Sequence, residues 1–323
     1  MMASPISIPQ CVLVTGANGF VGSHVIDVLL QSGYSVKAVV RHFWNKAPQG
    51  VEVIYADLSL PVNWSEALVG VSTIIHLAAR VHQMDESPQM AIDEFRNINT
   101  RATLELAEQA ARAGIKRFIY LSTIAVNGSF TLQDEYFTEQ SQPNPKSAYA
   151  ISKFESELGL QKLSQSYSME VTMIRPPMVY GLNAPGNFLR LVSLIKTRIP
   201  LPFGCANQPR SFIYIKNLVD FILLSINHPS AGNELFLISD SDDIALNDLI
   251  RQISHNLKFR NHVFPVSLNL LEGLLRILGR QNLVNQLLQP LRIDIGKART
   301  LLLWTPPYAS SKGLNLSVEK PCD

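Results

Sequence analysis

Residues Val12 to Gly22 read VLVTGANGFVG, a short β-branched run that breaks into Gly16, Gly19 and Gly22 at intervals of three. Beyond the glycines, Val21, Val25, Leu29 and Leu30 recur at helical spacing up to Gly33, and a second apolar strand follows at Tyr34 to Val40. A strand that turns on glycines into a helix is what a bound dinucleotide needs. Gly16 lets the chain turn tightly, Gly19 lets the backbone approach a pyrophosphate, and Gly22 lets helix and strand pack closely. With Asn18, Phe20 and Val21 they form the expected cofactor turn, its free N–H groups facing the anion.

The same alternation continues. Strands are predicted at Val51–Ala56, Thr73–His76, Arg117–Leu121 and Glu170–Ile174, with helices at Trp64–Leu68, Phe95–Ala113 and Ala148–Gln165. Strand–helix alternation at this spacing gives an α/β fold, a doubly wound parallel sheet with right-handed crossovers. After Arg175-Pro176-Pro177 the texture changes, with Pro185, Gly186, Pro200, Pro202 and Gly204 clustered. Helix signals follow at Ile215–Asn227, Leu246–Asn256 and Leu268–Leu288, and a strand signal at Leu235–Ser239. The expected division is a dinucleotide-binding domain over residues 1–175 and a smaller, interleaved substrate-binding portion over 176–323. Ligands lie at the carboxyl ends of the strands in such folds, so the second portion would cover that end.

Composition narrows the partners. With 17% charged residues, 46% apolar residues, a net charge of +2 and no basic block, nucleic acid is not an expected partner. Cys11, Cys205 and Cys322 share no metal-ligand or CxxC spacing, so no metal is expected and a reducing compartment fits. Met1 to Gln10 has no basic region and no apolar stretch, so a signal peptide is not expected, and no apolar run reaches the ~18 residues of a membrane span. The leucine-rich stretch Leu268 to Leu291 is interrupted by Glu272, Arg276, Arg280 and Gln286. It reads as amphipathic helices closing the substrate side, with a membrane-surface role as the alternative. The expected location is the cytoplasm, and a homodimer is compatible with the sequence.

An acidic residue at the end of the second strand would mark NAD by bonding its ribose. Here Arg41 follows Val39-Val40, a cation where an extra 2′-phosphate would sit; this favours NADP(H), with NAD(H) as the alternative. Asp57 and Leu58, after the third strand, are placed to meet the adenine. Tyr149 and Lys153 are four apart and so share one helical face. A phenol near pKa ~10 is a poor acid–base group at neutral pH, and a nearby ammonium would lower it. Lys153 could also bond the nicotinamide ribose. Upstream, Leu121-Ser122-Thr123 ends a strand, where a hydroxyl could hold the substrate oxygen beside Tyr149.

These residues resemble the extended short-chain dehydrogenase/reductase family, in its NAD(P)-dependent nucleotide-sugar epimerase/dehydratase/reductase branch. The resemblance covers most of the chain. It runs through Thr15 to Gly22, His76-Leu77-Ala78-Ala79, Asn99 to Thr103, Thr123, the Tyr149/Lys153 pair, Arg175-Pro176 and Val179-Tyr180-Gly181. It implies a Rossmann domain, with Thr123 as the triad hydroxyl, Tyr149 as acid–base and Lys153 as its partner. It implies that Asn99 braces the lysine-bearing helix and aids a proton relay. It also implies that His76, Leu77, Ala78 and Ala79 line the cofactor and that Pro176 with Pro177 borders the nicotinamide. Asn187, opening Asn187-Phe188-Leu189, and Arg210 match positions that hold the diphosphate of a nucleotide sugar.

The chain departs from the pattern in three places, the mildest being Thr123 where serine is commoner, since both carry a hydroxyl. Asn127 stands before Gly128 where a tyrosine is usual, and Thr123 is followed by Ile124-Ala125 where dehydratases carry an acidic pair. A 4,6-dehydration is therefore not expected. The reading that follows is a 4-keto reductase of a UDP-activated, N-acetylated 6-deoxy hexose for bacterial surface polysaccharide, suggested by Arg41, Val126–Gly128 and Arg80-Val81-His82. The alternative is a UDP-sugar 4-epimerase of the UDP-glucose/UDP-N-acetylglucosamine type. A third is a cofactor-binding regulator without chemistry, against which the Thr123/Tyr149/Lys153 set counts.

Overall fold

The structure, a computed structural model, describes residues 10–81, 88–259, 263–277 and 288–318. Apolar runs that alternate with helices make the elements β1 (Cys11–Thr15), α1 (Phe20–Gln31), β2 (Ser35–Val40), β3 (Val51–Tyr55) and β4 (Val71–His76). Then come α2 (Pro88–Phe95), α3 (Ala102–Arg112), β5 (Arg117–Leu121), α4 (Ala148–Ser166) and β6 (Glu170–Arg175). The rest is β7 (Met178–Tyr180), α5 (Asn187–Lys196), β8 (Pro209–Arg210), β9 (Phe212–Tyr214), α6 (Ile215–Asn227) and β10 (Glu234–Leu237). It ends with β11 (Ile244–Ala245), α7 (Leu246–Asn256), α8 (Leu268–Ile277), α9 (Gly296–Leu301) and α10 (Ser310–Val318).

Seven strands form one sheet in the order β10-β6-β5-β4-β1-β2-β3. The β1–β2, β2–β3, β1–β4 and β4–β5 pairs are parallel. The central strands are buried on both faces, with Val12, Leu13, Val14, Ile74, Ile75, Phe118 and Ile119 wholly shielded from solvent, as their continuous β-branched and aromatic runs require. Chain order runs outward from β1 in both directions, toward β2 on one side and β4 on the other. That reversal opens a crevice at the carboxyl ends of β1 and β4, where Thr15 stands in register with His76.

The chain divides into two compact units. The first uses Met1–Ser122, Ser147–Met173 and Ile222–Glu234; the second uses Thr123–Lys146, Ile174–Phe221 and Leu235–Asp323. The division expected at 175/176 lies two residues from one of these crossings, and the others arise because stretches of each unit leave and rejoin it. The second unit carries two small two-stranded sheets, β11 with β8 and β7 with β9. Its core includes Phe221, whose ring packs edge-on against Phe236 at 5.4 Å and Trp304 at 4.9 Å.

Two sequence expectations change. Trp64–Leu68 forms turns rather than a helix. Asn63 Oδ1 accepts from Ser65 N at 3.0 Å and Gln109 bonds Trp64 N and Val62 O at 2.9 Å, but the segment closes only a single helical turn, Leu68 N to Trp64 O at 2.9 Å, before Gly70 at φ +74° ends it. The helix expected at Phe95–Ala113 is instead α2, a π-helical turn at Arg96–Arg101 and α3, all one continuous rod of three windings. The expected helix Leu268–Leu288 is present as α8 to Ile277; residues 278–287, like His82 and Cys322, lie outside the described residues.

Candidate active site

The glycine turn is shaped by contacts that exclude side chains. Gly16 has φ +67°, and a Cβ there would lie 2.8 Å from Ala78 N. A Cβ on Gly22 would lie 2.2 Å from Gly16 O, so α1 starts directly against the turn. Gly19 N donates to Gly16 O at 3.0 Å, Asn18 is exposed, and the N–H groups of Phe20, Val21 and Gly22 open α1 with no acidic residue in its first turn. Leu77 N donates to Thr15 O at 3.3 Å and Ala78 N to Thr15 Oγ1 at 3.2 Å, which sets Leu77, Ala78 and Ala79 beside the turn. This concave, donor-rich cradle fits the pyrophosphate of a dinucleotide.

At the carboxyl ends of β2 and β3 stand Arg41, exposed, whose Nε donates to His42 Nε2 at 2.9 Å, and Asp57. Asp57 Oδ1 accepts from Ser59 N at 2.9 Å and Ser59 Oγ at 2.8 Å, and these bonds hold its carboxyl below the usual range, with Arg41 a smaller influence. Half of the Asp57 carboxylate is thus committed to its own turn. Leu58 beside it is half-buried.

Asn99 sits buried in the π-helical turn, a geometry that often marks functional positions. Its Nδ2 donates to Ser152 Oγ at 3.0 Å and to Arg80 O at 3.1 Å, while its Oδ1 accepts from Arg80 N at 2.8 Å. Its carbonyl accepts from Ser156 Oγ at 2.8 Å, so Asn99 ties α4 on both sides of Lys153. Tyr149 lies in the first turn of α4, its ring edge-on to Phe95 at 6.2 Å.

The expected lowering of the Tyr149 phenol is not found. Burial pushes it up to about 12, and the Lys153 ammonium lies instead over the Tyr120 ring, 4.1 Å from its centre. Burial pushes Lys153 down to about 7, with Glu157 opposing. The ring of Tyr120 stacks on His76 at 5.9 Å and 14°.

His76 does not line the surface of the crevice. It is fully buried, bonded through Nδ1 to Thr15 Oγ1 and through Nε2 to Thr103 Oγ1, both at 2.8 Å. Burial, with the Lys153 charge, drops it to about 3, so its ring is neutral. Sequence reasoning missed this stack of His76, Tyr120 and Lys153.

In the second unit, Thr123 caps the short 3₁₀ turn at Ile124–Val126, its Oγ1 accepting from Ala125 N at 3.3 Å. Pro176 is buried, and its carbonyl accepts from Ile124 N at 2.9 Å. Asn127, the departure from the usual tyrosine, is buried and its Oδ1 accepts from Arg175 Nη1 at 2.8 Å. An amide here gives a buried guanidinium an acceptor that a phenyl ring would not offer in the same place.

A cavity of about 160 Å³ is bounded by Met178, Asn187, Leu191, Arg210, Leu249 and Leu291, among others. It brings together both residues expected to hold a diphosphate. Arg210 Nη1 also donates to Gln289 O, and burial lowers Arg210 to about 10, still a cation at neutral pH. Among the described residues no His/Cys/Asp/Glu cluster could hold a metal, and no helix is long and apolar enough to cross a membrane.

A glycine cradle at the switch point of a doubly wound sheet places the protein in the Rossmann class. More narrowly, the chain belongs to the NAD dependent epimerase/dehydratase family, whose model matches residues 12–239, and is an enzyme of the extended short-chain dehydrogenase/reductase type. It is 36% identical to a UDP-glucose 4-epimerase of Vibrio cholerae over 313 residues, covering 96% of this chain and 95% of the relative. It is 24% identical to an N-acetyl-α-D-glucosaminyl-diphospho-ditrans,octacis-undecaprenol 4-epimerase of Escherichia coli O157:H7, over 95% and 94% of the two chains. Its fold matches the crystal structure of a UDP-glucuronic acid 4-epimerase from Bacillus cereus in complex with NAD. That match has a TM-score of 0.78 and 22% identity, and covers 96% of this chain and 97% of the other.

Proposed function

We propose that the protein is a UDP-sugar 4-epimerase that keeps NAD bound through its reaction. The observation that carries this reading is the 36% identity to the Vibrio cholerae UDP-glucose 4-epimerase over nearly the whole of both chains. The turn at Gly16 to Gly22, Leu58 and the Leu77–Ala79 segment would hold the dinucleotide, and Asp57 would meet the adenine. NAD supplies, when bound, a hydride acceptor that becomes the donor for the return step. Tyr149 takes the proton from the sugar C4 hydroxyl and later gives it back, with Thr123 holding that oxygen. A phenol at about 12 needs help to do this at neutral pH, and Lys153 is the cation close enough in sequence and face to supply it once drawn from the Tyr120 ring. Asn187 and Arg210 would hold the diphosphate, and Pro176 would border the nicotinamide. Ile124 and Ala125 supply no carboxylate for dehydration.

The reductase reading is favoured by one observation, the cation Arg41 at the end of β2 with no acidic residue beside it there. One experiment decides. The purified protein is denatured and its released dinucleotide identified, and native protein is incubated with UDP-glucose and UDP-N-acetylglucosamine without added nucleotide. Released NAD and a C4 epimer in the proton NMR spectrum support the proposal. An empty protein that acts only on a UDP-4-keto-6-deoxy hexose, and only with NADPH, gives the reductase instead.

A further inference from the structure

Two segments of the second unit are tied together, and a third, α8, follows them in the chain. The guanidinium of Arg198, just past α5, lies 4.9 Å from the ring of Phe259, just past α7. Leu201 bridges to Val263, Phe264 N donates to Leu201 O at 3.0 Å, and Gly204 N donates to Phe264 O at 3.0 Å. The chain then runs directly into α8. Along these segments Ile199, Phe264, Leu270 and Ile277 are 56%, 44%, 67% and 85% exposed. Leu270 and Ile277 are seven residues apart, so they share one side of α8, while Leu271 is buried. Single exposed leucines are ordinary; a row of them on linked segments marks a contact surface.

The charges carried by these segments are mostly positive. Residues 186–204 hold Arg190, Lys196 and Arg198 and no acid. The described residues of 258–277 hold Lys258 and Arg276 against a single acid, Glu272, which pairs with Arg276 at 3.5 Å. An obligate protein partner would meet a more apolar, less charged centre. Apolar side chains fringed by cations suit a surface that is apolar below and anionic above.

We propose that this face docks on an anionic phospholipid bilayer. Helix α5 carries Asn187 and Leu191 into the candidate substrate cavity from its other end. Docking therefore keeps that cavity at the membrane, where sugar diphosphates carried on lipids are found; this consequence, unlike the docking, rests on the reading of the cavity as a sugar-diphosphate site.

The test is co-sedimentation of the full chain with phosphatidylcholine vesicles and with vesicles containing phosphatidylglycerol. Binding is expected to the anionic vesicles alone and to fall at high salt. The double substitution Leu270→Glu/Ile277→Glu should lower partitioning at least ~10-fold, and Lys196→Ala or Arg198→Ala about 5-fold each, from ~1 kcal/mol per charge. Thermal unfolding of each variant, which needs neither cofactor nor substrate, checks that the fold is retained. Equal binding to neutral vesicles, no binding to anionic ones, or unchanged partitioning of the folded double variant would overturn the proposal. So would a wild-type dimer that binds no vesicle and is dispersed by the double substitution, since a second copy would then cover the face.

Discussion

Replacing Gly22 with alanine isolates the close approach on which the cofactor cradle rests. Gly22 lies inside α1 without positive φ, and helix propensity alone favours alanine by about 1 kcal/mol. The new Cβ, however, would stand 2.2 Å from Gly16 O and 2.8 Å from Ala17 O, both backbone atoms with no rotamer to escape into. Reaching ordinary contact at 3.4 Å means moving the turn and the start of α1 apart by about 1 Å. Overpacking of this kind costs about 1–3 kcal/mol, so after the propensity gain the net loss of stability is about 0–2 kcal/mol, a fall of no more than ~8 °C in Tm.

The N–H groups that face the pyrophosphate shift by the same ~1 Å, which weakens charge-assisted bonds worth about 1.5–3 kcal/mol and so costs on the order of 10- to 100-fold in affinity. Calorimetric titration with NAD⁺ should therefore show affinity falling by about 10- to 100-fold while the protein stays folded. Gly33→Ala is the control. Its φ is +80° with no atom within 4 Å of a Cβ, so it should lose about 1–2 kcal/mol of stability and bind NAD⁺ as wild type does. Wild-type affinity in Gly22→Ala would refute the claim that the start of α1 holds the anion.

Tyr149→Phe should fold, bind dinucleotide and lose at least ~100-fold in kcat, the scale of a general acid–base; near-normal turnover in a steady-state assay would remove Tyr149 from the chemistry. Arg41→Asp should weaken NADP⁺ about 10-fold while leaving NAD⁺ within about threefold, since Arg41 is exposed and any contact with a 2′-phosphate is partly screened. Equal effects on both, read by titration, would mean that Arg41 faces solvent. Arg210→Ala should raise KM for a UDP-sugar more than it lowers kcat and leave NAD⁺ affinity unchanged; because Arg210 also holds Gln289 O, a small drop in Tm is expected with it.

The frame of the fold was legible because its signals are local. The glycine spacing reports a turn that only small residues allow, and the runs of β1, β4 and β5 are continuous because both faces of those strands are buried. What was not legible depends on partners far away in sequence. Asn127 looked like a simple departure until Arg175, 48 residues away, was seen to donate to it. The Tyr149/Lys153 spacing correctly places two side chains on one helix, but spacing says nothing of a competing ring, and Tyr120 belongs to the strand β5.

That competition has a consequence for stability. Lys153 is 2% exposed and its burial lowers it from 10.5 to about 7. Between those values the unfolded chain binds a proton that the folded chain does not, so stability rises with pH across that window; below pH 7 both states are protonated and the contribution is flat. With these two pKa values, Lys153 opposes folding by about 4 kcal/mol at pH 7 and about 2 kcal/mol at pH 9. Lys153→Met keeps the buried stem and removes the titration. Urea unfolding of both cofactor-free proteins from pH 6 to 9 cancels every group they share. The difference between their curves should shrink by about 2 kcal/mol from pH 7 to 9, with the variant the more stable at the lower pH. Parallel curves would mean that the Lys153 ammonium keeps an ordinary pKa on the Tyr120 ring, and that its release toward Tyr149 is not driven by the cost of burial.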